Sequence, residues 1–304
     1  MSQLELRTLG AEDGAALRSA LEDAKARGDL RGSSDPELNY TTQIFAVDPA
    51  LFGAAFDGGA IVGLVLPEMK ATVVEPDRRR DGIGRRLIEL GLTMEASRRR
   101  RELFMGTVPE QTEGTAFLGA MGFTFHSTVW DLDLPPDRSV PQPAWPREIV
   151  ARPFDRTRDV ETLPPVVNAA FADHPTPIVM EEEMFRASLD DPNILDDDAI
   201  VLEERGTGEI VGFCLLDVRR VDGRITSEHG EIAMVGVRPD RQGRGLGRQL
   251  LRAGAAYLRG IGVPKVGLAV NGRNEAALGL YESEGYVRVR TRDRWSLGVP
   301  GTPA

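Results

Sequence analysis

A phenol and a carboxylate in the second half of the chain have the chemistry for proton transfer. Tyr281 lies in LGLYESEGY, and a phenol with a pKa of about 10 can donate a proton to a basic leaving group. Glu231 lies in GEIAMVGV, where a carboxylate beside a partly apolar cleft can have a raised pKa and accept a proton directly or through water. Glu228, His229 and Asp217 compete with Glu231 for this role. Structural roles also fit, with Tyr281 as a half-buried helix residue and Glu231 as a solvated residue at a strand end.

A glycine-rich turn, RPDRQGRGLGRQL at Arg238–Leu250, follows this β-rich segment and precedes a helix-like run. Glycines let backbone N–H groups approach a ligand, and a helix N-terminus adds partial positive charge, so the turn suits a pyrophosphate. A Walker A loop is excluded because Gly247 is followed by Arg248 rather than Lys, and the dinucleotide fingerprint requires a glycine at Arg248. Taken alone, the turn also fits a plain strand-to-helix connection.

The pattern occurs twice. EPDRRRDGIGRRL at 75–87 matches RPDRQGRGLGRQL at 238–250 with an offset of 163, and FLGAMGF at 117–123 falls against LYESEGY at 280–286 in the same register. Two matched blocks at one offset predict two copies of one mixed α/β domain. Five prolines between Asp131 and Val150 indicate a linker. We therefore predict a first domain at 1–134, a Pro-rich linker at 135–148 and a second domain at 149–304.

Two segments of the second copy carry a family resemblance. Val235–Gly247 resembles motif A of the GNAT acyltransferases, Gln/Arg-x-x-Gly-x-Gly/Ala, and Val270–Tyr286 resembles that family's motif Asn-x-x-Ala-x-x-x-Tyr-x-x-x-Gly-Phe/Tyr. The resemblance implies two tandem GNAT domains, each with a mixed, mostly antiparallel central sheet flanked by helices. It also implies transfer of an acetyl group from acetyl-CoA to the primary amine of a small molecule, by direct attack in a ternary complex.

The resemblance further implies roles for individual residues. The acid would be Tyr281 and the base Glu231. Backbone groups would bind the CoA pyrophosphate and pantetheine, with α-helical residues lining the other side; these positions are Met234, Val235, Gly236, Val237, Gln242, Gly243, Arg244, Gly245, Leu246, Gly247, Arg248, Asn274, Ala277 and Tyr281. Met234 or Val235 would also supply the oxyanion donor. The acceptor would lie near His174, Asp217 and Glu228, although His174 also fits a plain loop or capping residue.

The first copy departs from the family pattern. Leu118 stands at the position of Tyr281, and Asp81 replaces Arg244 where a diphosphate would approach. A second CoA site would consist of Val74, Arg79, Arg80, Gly82, Ile83 and Gly84. We expect this copy to be degenerate, with a structural or CoA-holding role rather than a catalytic one.

Composition narrows the classes of function. A net charge of −10 and a pI near 5.0 disfavour nucleic-acid binding, and the single cysteine, Cys214, excludes an intrachain disulfide. Three histidines make a metal cluster improbable, and we expect no metal. The N-terminal segment has no basic flank before an apolar core, and no apolar run is long enough to span a membrane, so we expect no export, no membrane span and a cytoplasmic monomer or homodimer.

The acceptor stays open at this point. Asn168–Pro175 and Gly230–Val237 resemble segments of tandem members that acetylate a cysteinyl-glucosaminyl-inositol amine. Two alternatives are acetylation of an aminoglycoside-like or peptide antibiotic, and a CoA-binding regulatory protein without turnover.

Overall fold

The chain, in its computed structural model, is described over residues 4–30, 41–42, 44–68, 70–174 and 179–301. It divides into a first unit, which runs to Thr128 and resumes at Thr291, and a second unit, Val129–Arg290. The sequence predicts boundaries at 134 and 149. In the structure, the chain passes from one unit to the other inside two long strands, at 128–129 and at 290–291. The Pro-rich segment belongs to the second unit.

The strands and helices alternate along both halves of the chain. The strands are β1 Glu5–Thr8, β2 Gly53–Asp57, β3 Ala60–Leu66, β4 Ala71–Val74, β5 Glu102–Thr107, β6 Thr124–Leu134, β7 Ile149–Pro153, β8 Ala199–Glu204, β9 Ile210–Asp217, β10 Arg220–Val221, β11 Arg224–Ile225, β12 His229–Val237, β13 Lys265–Asn271 and β14 Val287–Gly298. The α-helices are α1 Gly14–Ala26, α2 Ile83–Ser97, α3 Thr112–Ala120, α4 Leu163–Ala170, α5 Glu182–Ser188, α6 Leu246–Gly260 and α7 Glu275–Glu284.

The first unit contains an antiparallel sheet in the order β1-β2-β3-β4. Its strand β5 pairs antiparallel with residues 293–298 of β14, so the C-terminal part of the chain completes this unit. Helix α2 packs Ile83 and Leu87 into a core that also takes up Trp295 and Leu297 from β14. Helix α1 packs Leu17 and Leu21 into a second core.

The second unit contains a sheet in the order β6-β13-β12-β9-β8-β7, to which β6 contributes residues 129–134. The pairing of β12 with β13 is parallel, and the other pairings are antiparallel. One face packs on α6 through leucines such as Leu250 and Leu258, whereas the other packs on α4 through Leu163 and Val167. This arrangement confirms the predicted mixed, mostly antiparallel sheet flanked by helices.

The Pro-rich segment packs on the second unit. Trp145 contacts the core beneath α6, and the backbone N–H of Ala144 donates to Gln249 Oε1 over 2.9 Å. Arg259 Nη2 donates to the carbonyl of Pro135 over 2.7 Å. These contacts fix a segment whose prolines leave it few backbone donors of its own.

Among the described helices, none is both long enough and apolar enough to cross a membrane.

Candidate active site

Strands β12 and β13 diverge in the middle of the second unit. Their parallel register runs from His229 opposite Lys265 to Glu231 opposite Gly267, and beyond this point β12 continues its pairing with β9, and β13 its pairing with β6. The register of β12 against β9 shifts between Ile232 and Met234, which makes Ala233 the extra residue of a β-bulge. Because each strand keeps one partner, the backbone groups on the facing edges border a V-shaped gap. Such an edge can bind an extended ligand as an added strand.

The glycine-rich turn lies at the open end of this gap. Gly243 and Gly245 have φ angles of 75° and 78°, in the left-handed region, and a Cβ on either residue would have no neighbour within 4 Å. Gln242 Nε2 donates to the carbonyl of Val237 over 3.0 Å and ties the turn to the end of β12. Helix α6 begins at Leu246, so its first N–H groups, which lack intrahelical acceptors, point toward the turn.

Tyr281 approaches from the α6 face of the sheet. Its side chain belongs to the core beneath α6, and burial raises the pKa of its phenol to about 12. The phenol also interacts electrostatically with Cys214, whose register partner on β12 is Val235. Tyr281 therefore carries a proton at neutral pH, close to the part of β12 that borders the gap.

Carboxylates lie on the opposite face, where the gap begins. Glu231 faces Asp217 across β12 and β9, and Gly267 of β13 is in register with both Glu231 and Asp133 of β6. Residues in register share a face of a sheet, so Asp217, Glu231 and Asp133 form one row. Asp217 keeps part of its side chain exposed, yet the surrounding protein limits its solvation and raises the pKa of its carboxyl group.

His229 lies on the same face of the sheet as this row. It precedes Glu231 by two positions on the same strand, and its Nε2 lies 3.2 Å from Asp133 Oδ1. The Asp133 carboxylate raises the pKa of this imidazole, and Glu231 acts in the same direction while Lys265 opposes it.

Two further residues were predicted on the acceptor side, and they have different surroundings. His174 follows α4, and its ring lies 5.2 Å from that of Phe171, which stacks near Phe213 on the carboxylate face; Pro175 of the same predicted segment is outside the described residues. Glu228, in contrast to His174, lies in solvent: its side chain is 79% exposed, and its Oε2 pairs with Lys265 Nζ over 3.3 Å.

Asn274 and Ala277 lie at the N-terminal end of α7. Asn274 is the N-cap residue, and its Oδ1 accepts the N–H of Ala277 over 3.1 Å, which leaves the Asn274 amide nitrogen as its donor. The Arg248 side chain pairs with Glu284 of α7, so only its backbone is placed at the turn. The Arg244 side chain is exposed.

The first unit repeats the turn with different chemistry. Arg79 Nε donates to the carbonyl of Val74 over 3.0 Å, as Gln242 does to Val237, and Gly82 takes the left-handed conformation of Gly245 at φ 77°. Leu118 is buried in the core where the second unit has Tyr281. Ile83 is buried at the start of α2, and a Cβ on Gly84 would come within 3.2 Å of Phe117.

Two residues of the site were missed by sequence reasoning. Asp133 lies at the end of what the sequence assigns to the first domain, and Gly267 belongs to no motif. A Cβ on Gly267 would lie 2.5 Å from His229 Nε2, so the missing side chain makes room for the imidazole. The alternating pattern DLDL indicates that Asp133 is on a strand, but not which sheet that strand joins. Within the described ranges, no group of three or more His, Cys, Asp or Glu residues is arranged to hold a metal ion.

Comparison with known proteins identifies the family. A model described as the acetyltransferase (GNAT) family matches residues 166–286, from α4 to the residue before β14. A curated relative is 30% identical over 303 residues, 98% of this chain and 98% of its own. The chain therefore belongs to the GNAT family and is an acyltransferase. That relative is the mycothiol acetyltransferase of Thermobispora bispora, and the mycothiol acetyltransferase of Thermobifida fusca is 32% identical over 290 residues, 90% of this chain and 86% of its own.

Solved structures share the fold. The GCN5-related N-acetyltransferase from Sphaerobacter thermophilus matches with a TM-score of 0.69 at 21% identity, over 99% of this chain and 96% of its own. A tandem GNAT protein from the clavulanic acid biosynthesis pathway matches with a TM-score of 0.69 at 18% identity, over 99% and 100% of the two chains. These likenesses support a tandem GNAT architecture.

Proposed function

We propose that the second unit transfers an acetyl group from acetyl-CoA to the primary amine of a small molecule, by direct attack in a ternary complex. One observation carries this proposal: β12 and β13 separate after Glu231 and Gly267, with a phenol on one face of the gap and carboxylates on the other. A donor inside the gap would have its sulfur side near Tyr281 and its carbonyl side open to an amine near Glu231.

The donor fits the backbone of the gap and turn. Acetyl-CoA, when bound, supplies a thioester whose acyl carbon is open to attack. Backbone groups of Met234–Val237 would hold the pantetheine arm as an added strand, and the N–H groups of residues 243–248 would hold the pyrophosphate. The left-handed glycines support this role because a Cβ at either position would project into the open space beside these N–H groups. Asn274 would line the other side through its amide.

Acid and base act from opposite faces. Glu231 takes a proton from the acceptor ammonium, which leaves the neutral amine that can attack the thioester. A backbone N–H at the bulge near Met234 stabilises the developing oxyanion. Tyr281 gives its proton to the departing thiolate. A phenol with a pKa of about 12 is still protonated when the carbon–sulfur bond breaks. The three steps use three groups that border one gap.

The acceptor is a cationic small molecule, and we propose the cysteinyl-glucosaminyl-inositol amine as the first one to test. The carboxylate row of Asp217, Glu231 and Asp133 supports a cationic acceptor. Two relatives that cover at least 86% of their own lengths are mycothiol acetyltransferases, which supports the particular amine.

The first test measures thiol release from acetyl-CoA with a panel of amines that includes this acceptor, aminoglycosides and peptides. Tyr281→Phe should lower kcat by about 100-fold, because removing a general acid typically costs that much. Tyr257→Phe is the matched control: it removes the phenol of an α6 residue whose hydroxyl lies 3.3 Å from Asp198 Oδ1, outside the gap.

The outcomes separate the candidate functions. Full turnover in Tyr281→Phe would remove Tyr281 as the acid. Release with an antibiotic amine alone would replace the proposed acceptor, and CoA binding without release for any amine would leave a non-catalytic CoA-binding protein.

A further inference from the structure

The paired side chains of His229 and Asp133 stand beside the proposed base. Their atoms Nε2 and Oδ1 are 3.2 Å apart, and both side chains are about one third exposed, at 29% and 33%. The backbone at His229 is fixed by Ser227, whose hydroxyl accepts the N–H of His229 over 3.0 Å and donates to its carbonyl over 2.9 Å. Ser227 thus fixes the backbone of His229, and Asp133 of β6 holds its ring.

The imidazole lies closer to the gap than its position in β12 suggests. The atoms nearest to an added Cβ on Gly267 would be His229 Nε2 at 2.5 Å and Cε1 at 2.6 Å. Gly267 is in register with Glu231, so the ring reaches across to the level of Glu231, where the two strands begin to separate. A side chain at position 267 would displace the ring from this place.

The pairing with Asp133 determines which ring nitrogen can take up a proton. An ionised carboxylate only accepts hydrogen bonds, so Nε2 carries a hydrogen whether the ring is neutral or charged. The proton is therefore gained and lost at Nδ1, and Asp133 holds the ring in that tautomer.

We propose that His229, held by Asp133, receives at Nδ1 the proton that leaves the acceptor ammonium through Glu231. The step is balanced: the ammonium N–H bond breaks as a Glu231 O–H bond forms, and that O–H bond then breaks as the Nδ1–H bond forms. Glu231 returns to a carboxylate, and the imidazolium gives its proton to water before the next turnover. This inference rests on the proposed acetyl transfer, and His229 acts behind Glu231 rather than on the substrate.

The charges around the ring favour this direction of transfer. Asp133 of β6 and Glu231 of β12 both raise the pKa of His229, Lys265 of β13 lowers it, and the imidazole in turn interacts with Asp217 of β9. The raised pKa of the His229 imidazole favours uptake of a proton at this place. Only the neutral ring can accept it, so kcat/KM should fall as the pH drops through the pKa of His229.

The test is the pH profile of kcat/KM for the full chain. The wild type should show an acid limb above pH 6.5, the ordinary pKa of about 6.5 for histidine being raised here by Asp133. Asp133→Asn removes the main cause of the increase, so its limb should move to lower pH. His229→Gln should lose this limb and lower kcat by about 100-fold, the typical effect of a proton-transfer group. Asp131→Asn is the control, because Asp131 is on the same strand and pairs with Arg290, and its limb should stay in place.

A second measurement follows the ring itself. The chain has three histidines, so an NMR titration can resolve His229 in the wild type and in Asp133→Asn. Its pKa should coincide with the acid limb in each protein. A wild-type profile in His229→Gln, or a titration of His229 that does not match the limb, would overturn the inference while leaving acetyl transfer intact. Failure of the proposed function is distinct, because the wild type would then release no thiol with any amine.

Discussion

Residues 243 and 80 share a backbone conformation but differ in what that conformation costs. Gly243 has φ 75° and Arg80, at the equivalent position of the first unit, has φ 72°. For a residue with a Cβ, the left-handed region costs roughly 1 kcal/mol, so Arg80 is strained where Gly243 is not. The two later glycines of the turns, Gly245 and Gly82, match more closely at 78° and 77°. The turn of the first unit therefore has the same backbone shape, but it carries an arginine side chain where the turn of the second unit has a glycine.

Gly245 and Gly82 offer a matched pair of substitutions. Changing either to Ala should lower the free energy of unfolding by about 1 kcal/mol, because both are left-handed and a Cβ meets nothing within 4 Å at either. Only Gly245→Ala should raise the KM for acetyl-CoA, by about tenfold for a loss of about 1.4 kcal/mol in binding, since its Cβ would stand beside the N–H groups that we propose hold the pyrophosphate. Denaturant unfolding and steady-state kinetics measure the two effects. Equal kinetic effects in both variants would contradict the assignment of the turn.

Among the elements, the segment after α1 distinguishes the two units. Arg79 Nη2 donates to Asp29 Oδ1 over 2.6 Å, and Gln111 Nε2 donates to the carbonyl of Asp29 over 3.4 Å. Arg79 and Gln111 are the equivalents of Gln242 and Asn274, which flank the gap of the second unit. Strand β5 of the first unit is also joined to the residue before β4, because the N–H of Gly106 donates to the carbonyl of Lys70 over 2.6 Å. The space that would receive a pantetheine arm is therefore bridged by the unit's own backbone and by Asp29.

We therefore expect one CoA to bind per chain. Calorimetric titration of the full chain with CoA should give a stoichiometry of one, and Gln242→Ala should weaken binding because the turn would lose its tie to Val237. Arg79→Ala is the matched variant in the first unit, and it should leave both Kd and stoichiometry unchanged. A stoichiometry of two would show that the bridge formed by Asp29 opens to admit the ligand.

Local patterns predicted much of this molecule, and non-local pairing accounts for what they missed. The constant offset of the repeat predicted two similar turns, and Arg79 and Gln242 do make the same hydrogen bond. The sequence could not predict that Asp133 is the partner of His229, because Asp133 lies 96 positions away on a strand assigned to the first domain. Sequence spacing reports which residues share a face of one element, but strand order depends on contacts between distant segments.

At the scale of the whole molecule, two strands carry the chain from one compact unit into the other. Residues 129–134 of β6 complete the sheet of the second unit, and residues 293–298 of β14 pair with β5 in the first. The boundaries between the units therefore lie inside β6 and β14, and not at the positions that the prolines suggest. A fragment that begins after those prolines would lose buried side chains and therefore stability. Leu132 and Leu134 are 0% and 3% exposed in the core beneath α6.

Two fragments test this division. A fragment of residues 149–304 omits the strand that pairs with β13, together with Asp133, Leu132 and Leu134. Loss of two buried leucines lowers the free energy of unfolding by at least about 4 kcal/mol. This is a large part of the roughly 5–15 kcal/mol of an ordinary domain. A fragment of residues 129–290 keeps β7 to β13, α4 to α7 and the residues of β6 that pair with β13, so it should unfold cooperatively and bind CoA, whereas 149–304 should do neither. Circular dichroism melts and CoA titration of both fragments provide the measurement. If 149–304 proved as stable as 129–290, the paired residues of β6 would contribute nothing to the unit that contains the proposed site.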